Sequence, residues 1–119
     1  MTMTYDPTNI FARILRGEIP NKTVAESAHT LAFEDIAPHA PHHVLVIPKG
    51  AYTDFADFAA RAPAEEMLDF HRTAARICEG FPEGYRVITN ARGHGGQEVP
   101  HYHIHILAGR PLGPMLTRQ

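Results

Sequence analysis

One stretch decides the fold of this chain: His101-Tyr102-His103-Ile104-His105-Ile106-Leu107, in which imidazoles alternate with apolar or aromatic side chains. A β-strand sends successive side chains to opposite faces of its sheet. The alternation therefore predicts a strand over about residues 101–108 whose three histidines share one face. Tyr102, Ile104 and Ile106 are expected to face the other way and to pack against a helix.

Hydrophobic periodicity predicts the remaining elements. A short helix is expected after a cap at Thr8 or Asn9, ending at Gly17. From Thr53 onward the pattern changes to that of a long helix, with Pro63 in its first turn and its end near Gly80. Strands are expected over residues 22–26, 30–34, 43–47 and 85–90, the first two as a hairpin and the third as a central strand. This order favours an α+β domain on a mostly antiparallel sheet.

Composition bounds the class of protein. The chain has 119 residues, 44% of them hydrophobic, which predicts one domain over residues 1–119, with a loose leader over about 1–8 and a short tail over about 111–119. The net charge of −2 argues against a nucleic-acid partner. The longest aliphatic run, residues 44–47, is too short to span a membrane. Cys78 is the single cysteine, which excludes an internal disulfide and favours a cytoplasmic location.

The histidine row suits an anionic ligand. Three protonated imidazoles side by side would repel one another, whereas a phosphate would stabilise positive charge on some of them. His103 is central, with its neighbours roughly 6.6 Å away along the strand. A neutral imidazole nitrogen can attack phosphorus to form a covalent intermediate. We therefore predict that His103 is the nucleophile.

Two other interpretations of the row remain open. The alternation is also typical of a half-buried strand with solvated outer histidines. His-x-His pairs on strands also present zinc ligands, and His43 offers a third imidazole. The outer histidines of the row, however, lie about 13 Å apart on a strand, too far to meet on one ion. The sequence therefore predicts no metal and no cofactor.

A glycine-rich turn precedes the row. Gly93, Gly95 and Gly96 permit backbone angles that turn amide groups toward an anion, although such a turn is also a common plain connection. Gln97 offers an amide to phosphate or leaving group, and Asn90 offers one to phosphate or ribose. Both side chains can equally satisfy the backbone of the loop.

Residues 95–107, GGQEVPHYHIHIL, resemble the signature of the histidine triad family of nucleotide hydrolases and transferases. The resemblance continues upstream in residues 16–20, 33–38 and 43–49, and covers roughly residues 9–110. It is greatest to the histidine triad nucleotide-binding proteins, a branch of homodimeric purine nucleoside phosphoramidases that act without metal. It implies a five-stranded antiparallel sheet with two helices.

The resemblance also implies roles for individual residues. His103 matches the nucleophile, His105 and His43 match contacts to the α-phosphate, and His101 matches a supporting residue. Asp35 matches the carboxylate that binds ribose hydroxyls. An apolar base pocket is implied for Ile10, Phe11, Ile14, Phe33 and Ile36, and the phosphate and leaving-group side for Asn90, Gly96, Gln97 and Val99.

Two departures from the family pattern concern the leaving group. Glu98 stands where familiar members carry a serine, and its carboxyl group is a general acid only if its pKa is raised. The tail is short and the chain has no Trp, so the tryptophan-bearing C-terminal loop of those members is missing. Selectivity among amine leaving groups is therefore not implied by the resemblance.

The function predicted is hydrolysis of a purine nucleoside monophosphate joined to an amine, through a nucleotidyl intermediate on His103. Cleavage of dinucleoside polyphosphates by the same chemistry is an alternative. A regulator that binds nucleotides and hydrolyses them only incidentally is a second, and a zinc protein is a third.

Overall fold

The computed structural model describes residues 4–116, and within that range the chain forms one five-stranded sheet and four helices. The first half of the chain contains α1 (Ile10–Leu15), β1 (Thr23–Glu26), β2 (Thr30–Glu34), β3 (His42–Pro48) and α2 (Phe55–Arg61). The second half contains α3 (Ala64–Cys78), β4 (Tyr85–Ile88), α4 (Arg92–Gly95) and β5 (Ile104–Ala108). None of these four helices combines the length and the apolar character that crossing a membrane requires.

The sheet is antiparallel throughout, in the order β1-β2-β3-β5-β4. The predicted α+β class, the hairpin and the central position of β3 are therefore confirmed. Phe33 lies opposite Leu45, and Leu45 lies opposite His105. Because residues directly opposite one another share a face, these three side chains lie on one face of the sheet, and Val46 and Ile104 lie on the other.

Helices α2 and α3 cover the second of these faces. Phe58 of α2 and Phe70 of α3 are fully buried, and their ring centroids lie 4.9 and 5.3 Å from that of Tyr102. Ile104 and Ile106 belong to the same buried cluster. The prediction that these alternate residues pack against the long helix is confirmed.

Helix α1 covers the face that carries the histidines. Phe11 packs edge-on against Phe33, with ring centroids 5.6 Å apart. These two rings share a buried cluster with Leu31, Leu45 and Ile47. Ile10, by contrast, is 43% exposed. In so short a helix, the face that presents Phe11 and Ala12 to the sheet leaves Ile10 toward solvent.

The predicted long helix is α3; α2 precedes it and α4 lies in the glycine-rich turn, so the described residues contain four helices where two were predicted. Pro63 separates α2 from α3. Proline disfavours helical backbone in the residue before it, and Ala62 is extended, with ψ of 137°. Pro63 then becomes the N-cap of α3.

The last strand begins later than predicted. Regular pairing starts at Ile104, and the segment before it follows a turn in which the N–H of His101 donates to the Val99 carbonyl at 2.8 Å. The N–H of Tyr102 donates to the Tyr52 carbonyl at 2.7 Å instead of to a neighbouring strand. Alternation of side chains persists through this segment although the strand ladder does not.

The two ends of the chain were expected to be a loose leader and a short tail. Residues 1–3 and 117–119 lie outside the described residues. Within the leader, the Tyr5 hydroxyl lies 2.7 Å from Nδ1 of His101, and Asp6 accepts hydrogen bonds from Thr8. The described part of the leader is therefore attached to the domain.

The β1–β2 hairpin is tied to α3 by one carboxylate oxygen. Oδ2 of Asp69 accepts hydrogen bonds from the Ser27 hydroxyl at 2.6 Å, the Thr30 hydroxyl at 2.8 Å and the His29 N–H at 3.0 Å. Burial opposes ionisation of Asp69, but these hydrogen bonds outweigh it and leave its pKa lowered. The charged acceptor therefore fixes the hairpin against the helix.

We expect Asp69→Ala to lower the free energy of unfolding by about 2 kcal/mol, because the buried Thr30 hydroxyl loses a charged partner. Urea denaturation measures the change. Glu65→Ala, at an exposed position in the first turn of the same helix, is the control. A loss for Asp69→Ala no larger than for the control would contradict the assignment.

Candidate functional site

The four histidines predicted to form a site lie together beside α1. His105 is on β5, His43 is on the neighbouring β3, and His101 and His103 precede β5. The His103 and His105 ring centroids are 5.1 Å apart, and so are those of His43 and His105. Phe11 meets the His103 ring edge-on at 5.0 Å. The imidazoles thus form one continuous cluster at the edge of the apolar contact between α1 and the sheet.

His103 is oriented by a backbone carbonyl. Its Nδ1 lies 2.7 Å from the carbonyl oxygen of His101. A carbonyl oxygen only accepts hydrogen bonds, so Nδ1 carries the proton. The lone pair of the neutral ring is then on Nε2. This nitrogen is the one available for attack on an electrophile.

His43 and His105 form a second ordered pair. The backbone N–H of His39 donates to Nδ1 of His43 at 3.0 Å, so the proton of neutral His43 is on Nε2. That Nε2 lies 2.9 Å from Nδ1 of His105, which accepts the hydrogen bond. The proton of neutral His105 is consequently on Nε2. The pair therefore presents an N–H donor next to the unprotonated nitrogen of His103.

His101 is held at both ring nitrogens. It is fully buried, with Nε2 2.8 Å from the Pro48 carbonyl and Nδ1 2.7 Å from the Tyr5 hydroxyl. The ring contacts protein on both edges. The supporting role that the family resemblance implies for His101 stays a prediction.

Burial keeps these rings neutral. Desolvation lowers the pKa of His101 to about 4 and that of His105 to about 4. Desolvation also lowers the pKa of His103, although the His101 carbonyl and the charges of Asp35 and Glu98 act in the opposite direction. The pKa of His43 is lowered by burial against the charge of Asp35. At neutral pH the lone pair on Nε2 of His103 is therefore not protonated.

Asp35 follows β2 and meets the cluster. One carboxylate oxygen accepts the Ala37 N–H at 2.8 Å, and the other lies 3.4 Å from Nε2 of His43. The Asp35 side chain is 19% exposed, so part of the carboxylate faces solvent beside the histidines. The residue expected to bind ribose is thus adjacent to the residues expected to bind phosphate.

The glycine-rich segment forms a single helical turn. Within it, the N–H groups of Gly96 and Gln97 donate to the carbonyls of Gly93 and Arg92. The Gln97 side-chain amide donates to the Thr53 and Val99 carbonyls at 2.6 and 3.0 Å. Its oxygen accepts the Arg92 N–H. Of the two interpretations of Gln97, the contacts match the one in which it satisfies the loop backbone.

The remaining predicted residues separate into two groups. Phe11 and Phe33 are buried, and the partly buried Ile14 and Val99 pack against them. Three others do not belong to this buried cluster: Ile36 is 96% exposed, Ile10 is 43% exposed, and Asn90 is half-buried just beyond β4. Glu98 is exposed but close enough for its charge to act on His103. The structure therefore brings the aromatic part of the expected base pocket together and leaves Ile36 in solvent.

Three contributors were missed by sequence reasoning. Tyr5 contacts His101, the His39 N–H orients His43, and the Thr89 hydroxyl donates to the His103 carbonyl at 2.8 Å. Neither a backbone N–H nor a lone threonine has a sequence signal. Tyr5 is the one aromatic residue among residues 1–8, which by itself indicates no site.

A fourth missed feature is an ion pair beneath the glycine-rich segment. Arg92 has a positive φ of 59°, and its Nε donates to the buried carboxylate of Asp54 at 2.9 Å. A left-handed backbone is unfavourable for a residue with a side chain. The ion pair opposes that cost and holds the loop onto the N-terminus of α2.

The side chains that could bind a metal ion differ from the set considered on the sequence, which was the histidine row with His43. Asp35, His43 and His105 each offer an atom within 4.8 Å of the others. In the described residues two of these atoms already share a hydrogen bond, between Nε2 of His43 and Nδ1 of His105. An ion would have to replace that proton. The donor set therefore fits an ion only after the histidine pair has been rearranged.

Known proteins resemble this chain over nearly its whole length. The HIT domain family model matches residues 16–112. An uncharacterized 13.2 kDa HIT-like protein of Azospirillum brasilense is 54% identical, over 99% of each chain. The purine nucleoside phosphoramidase of Escherichia coli is 46% identical, over 92% of this chain and 94% of that protein.

Solved structures are similar over the same extent. A HIT family hydrolase from Clostridium thermocellum superimposes with a TM-score of 0.83 at 34% identity, covering 92% of this chain and 97% of that one. A histidine triad protein from Clostridium difficile gives a TM-score of 0.81 at 40% identity, covering 95% and 100%. Because the family model spans residues 16–112 and the sequence relatives are 46% and 54% identical over nearly the whole chain, the chain belongs to the HIT domain family.

Proposed function

We propose that this chain is a purine nucleoside phosphoramidase, which hydrolyses the bond between an α-phosphate and an amine. The observation that carries the proposal is the hydrogen bond from Nδ1 of His103 to the His101 carbonyl, which leaves Nε2 unprotonated. Catalysis of phosphoryl transfer by an imidazole needs a neutral, oriented nitrogen. The likeness to the Escherichia coli phosphoramidase supports the same class of substrate.

The reaction has two steps. In the first, Nε2 of His103 attacks phosphorus, the P–N bond breaks, and the amine leaves with a proton. The Nδ1 proton stays on His103, where it is hydrogen-bonded to the His101 carbonyl, so the proton for the amine comes from water. In the second, water attacks phosphorus, the bond to Nε2 breaks, and the nucleoside monophosphate is released. The proton that the attacking water loses returns to solvent and balances the one taken up by the amine.

The other residues bind and orient. The Nε2–H of His105 donates to a phosphate oxygen, where negative charge is greatest, and His43 keeps His105 in that tautomer. Asp35 accepts from ribose hydroxyls. Phe11, Phe33 and Ile14 form the apolar wall for the purine, with Ile10 and Ile36 at its outer edge.

The first test is release of AMP from adenosine 5′-phosphoramidate with a chelator present. We expect turnover by the parent chain, no effect of the chelator, and a loss of more than about 10⁴-fold in kcat for His103→Ala, because the nucleophile is removed. Binding of AMP by His103→Ala should persist. His71→Gln, an exposed position on α3, is the control and should be as active as the parent.

Each alternative gives a different result. Full activity of His103→Ala would refute the nucleophile assignment. Faster cleavage of dinucleoside polyphosphates than of the phosphoramidate would favour the alternative substrate. Tight AMP binding without turnover would favour a nucleotide-binding regulator, and activity lost in chelator and restored by Zn²⁺ would favour a metal enzyme.

The pH dependence tests the requirement for neutral His103. Because burial lowers the pKa of His103, we expect kcat/KM to stay constant from pH 8 to below 6.5, the ordinary value for imidazole, and then to fall as His103 is protonated. A profile that falls already above pH 7 would contradict a neutral nucleophile with a lowered pKa.

Unfolding must be followed alongside this profile. The folded-state pKa values of His101 and His105 are about 4, so the unfolded chain binds protons more readily below about pH 6.5. The free energy of unfolding therefore decreases as the pH falls from about 6.5 toward 4. Circular dichroism at each pH separates loss of fold from protonation of the nucleophile.

We also propose that the chain forms a homodimer, as the family resemblance implies. Edge strand β4 supports this proposal, because Tyr85 and Val87 lie on one face of it and are 53% and 49% exposed. We expect a dimer mass in light scattering and a shift toward monomer for Val87→Lys. Val24→Lys, at a similarly exposed position on the opposite edge strand, is the control. A monomeric parent chain would refute the proposal.

A further inference from the structure

Tyr5, in the N-terminal segment, contacts His101, the fully buried histidine of the cluster. The Tyr5 hydroxyl lies 2.7 Å from Nδ1 of His101, and the two rings meet edge-on with centroids 5.6 Å apart. The two residues are separated by 96 positions in the sequence. The contact therefore connects a segment outside the sheet with the least exposed histidine of the cluster.

The direction of this hydrogen bond follows from the other edge of the His101 ring. Nε2 lies 2.8 Å from the Pro48 carbonyl, which only accepts, so Nε2 carries the ring proton. Nδ1 of the neutral ring is then an acceptor, and the Tyr5 hydroxyl is its donor. A buried acceptor without a donor would be costly. Tyr5 thus stabilises one tautomer and one orientation of His101.

Hydrogen bonds hold the residues that follow Tyr5 in place. The side chain of Asn9 donates to the Asp6 carbonyl at 2.8 Å while its oxygen caps α1. The Arg16 guanidinium donates to the Pro7 carbonyl at 2.8 Å, and Thr8 donates to the Asp6 carboxylate. Tyr5 is therefore attached to α1, the same helix that packs against His103.

His101 matters to the nucleophile through its carbonyl group. That carbonyl accepts a hydrogen bond from the Nδ1–H of His103. It belongs to a peptide that precedes the regular pairing of β5. The N–H of this peptide, which is that of Tyr102, donates to the Tyr52 carbonyl and holds the peptide on one side. On the other side it depends on the His101 ring, whose two hydrogen bonds end at Pro48 and Tyr5.

We propose that Tyr5 is a positioning residue for His103: its hydroxyl holds the His101 ring, and the His101 carbonyl in turn holds the nucleophile. Tyr5 does not touch the reacting atoms. The catalytic part of this inference rests on the proposed function, whereas the effect of Tyr5 on the two imidazoles does not.

Tyr5→Phe tests the inference, because it keeps the ring contact and removes the hydroxyl. Long-range ¹H–¹⁵N NMR reports the protonation and hydrogen bonding of each ring nitrogen. We expect the Nδ1 resonance of His101 to move to that of an acceptor without a donor, and the His103 ring resonances to move with it. Steady-state kinetics should show kcat about 10-fold lower with KM little changed, since one neutral hydrogen bond is lost.

Ser27→Ala is the control. Its hydroxyl also donates a partly buried hydrogen bond, to Asp69 at 2.6 Å, but between the β1–β2 hairpin and α3, on the other side of the sheet. It should lower the melting temperature as Tyr5→Phe does, while leaving the histidine resonances and kcat unchanged. A kcat loss as large in Ser27→Ala as in Tyr5→Phe would show a merely structural effect and overturn the inference.

Failure of the inference is distinguishable from failure of the proposed function. If the parent chain hydrolyses no phosphoramidate, the proposed function fails, and the NMR comparison still decides the role of Tyr5 on its own. His101 or His103 resonances that do not change in Tyr5→Phe would overturn the inference, whatever the activity. Changed resonances with an undiminished kcat in an active enzyme would overturn it as well.

Discussion

The site depends on one hydrogen bond, from Nδ1 of His103 to the carbonyl of His101. It fixes the tautomer and the direction of the ring together, and it leaves Nε2 as the free base. Its geometry requires the His101 peptide to lie outside the regular ladder, where a carbonyl can turn toward a side chain two residues away. The late start of β5 is therefore part of the site and not an irregularity of the sheet.

Burial supplies the second condition for the site. The apolar contact between α1 and the sheet places Phe11 directly against His103, and the desolvation that results favours the uncharged form of each imidazole. Charged rings would repel one another and could not act as bases. The same contact that stabilises the fold thus adjusts the protonation state of the site.

Hydrogen bonds and an ion pair hold the glycine-rich segment in place. The Gln97 amide is bonded to the backbone of both neighbouring loops, and Arg92 pairs with Asp54 at the start of α2. Gln97, which the family resemblance assigns to the phosphate and leaving-group side, therefore positions the backbone. The proposed chemistry employs other groups: the His103 and His105 nitrogens and the Asp35 carboxylate.

The sequence by itself determined the sheet, the burial of Tyr102, Ile104 and Ile106, and the gathering of three histidines, because strand alternation is a local property of the chain. Only the tertiary structure decided which nitrogen of each ring carries a proton, since that depends on carbonyls and N–H groups distant in sequence, such as those of Pro48 and His39. The helices α2 and α4 were not predicted, because 7 and 4 residues are too few to show helical periodicity. Tyr5 was unpredictable because its partner lies 96 positions away.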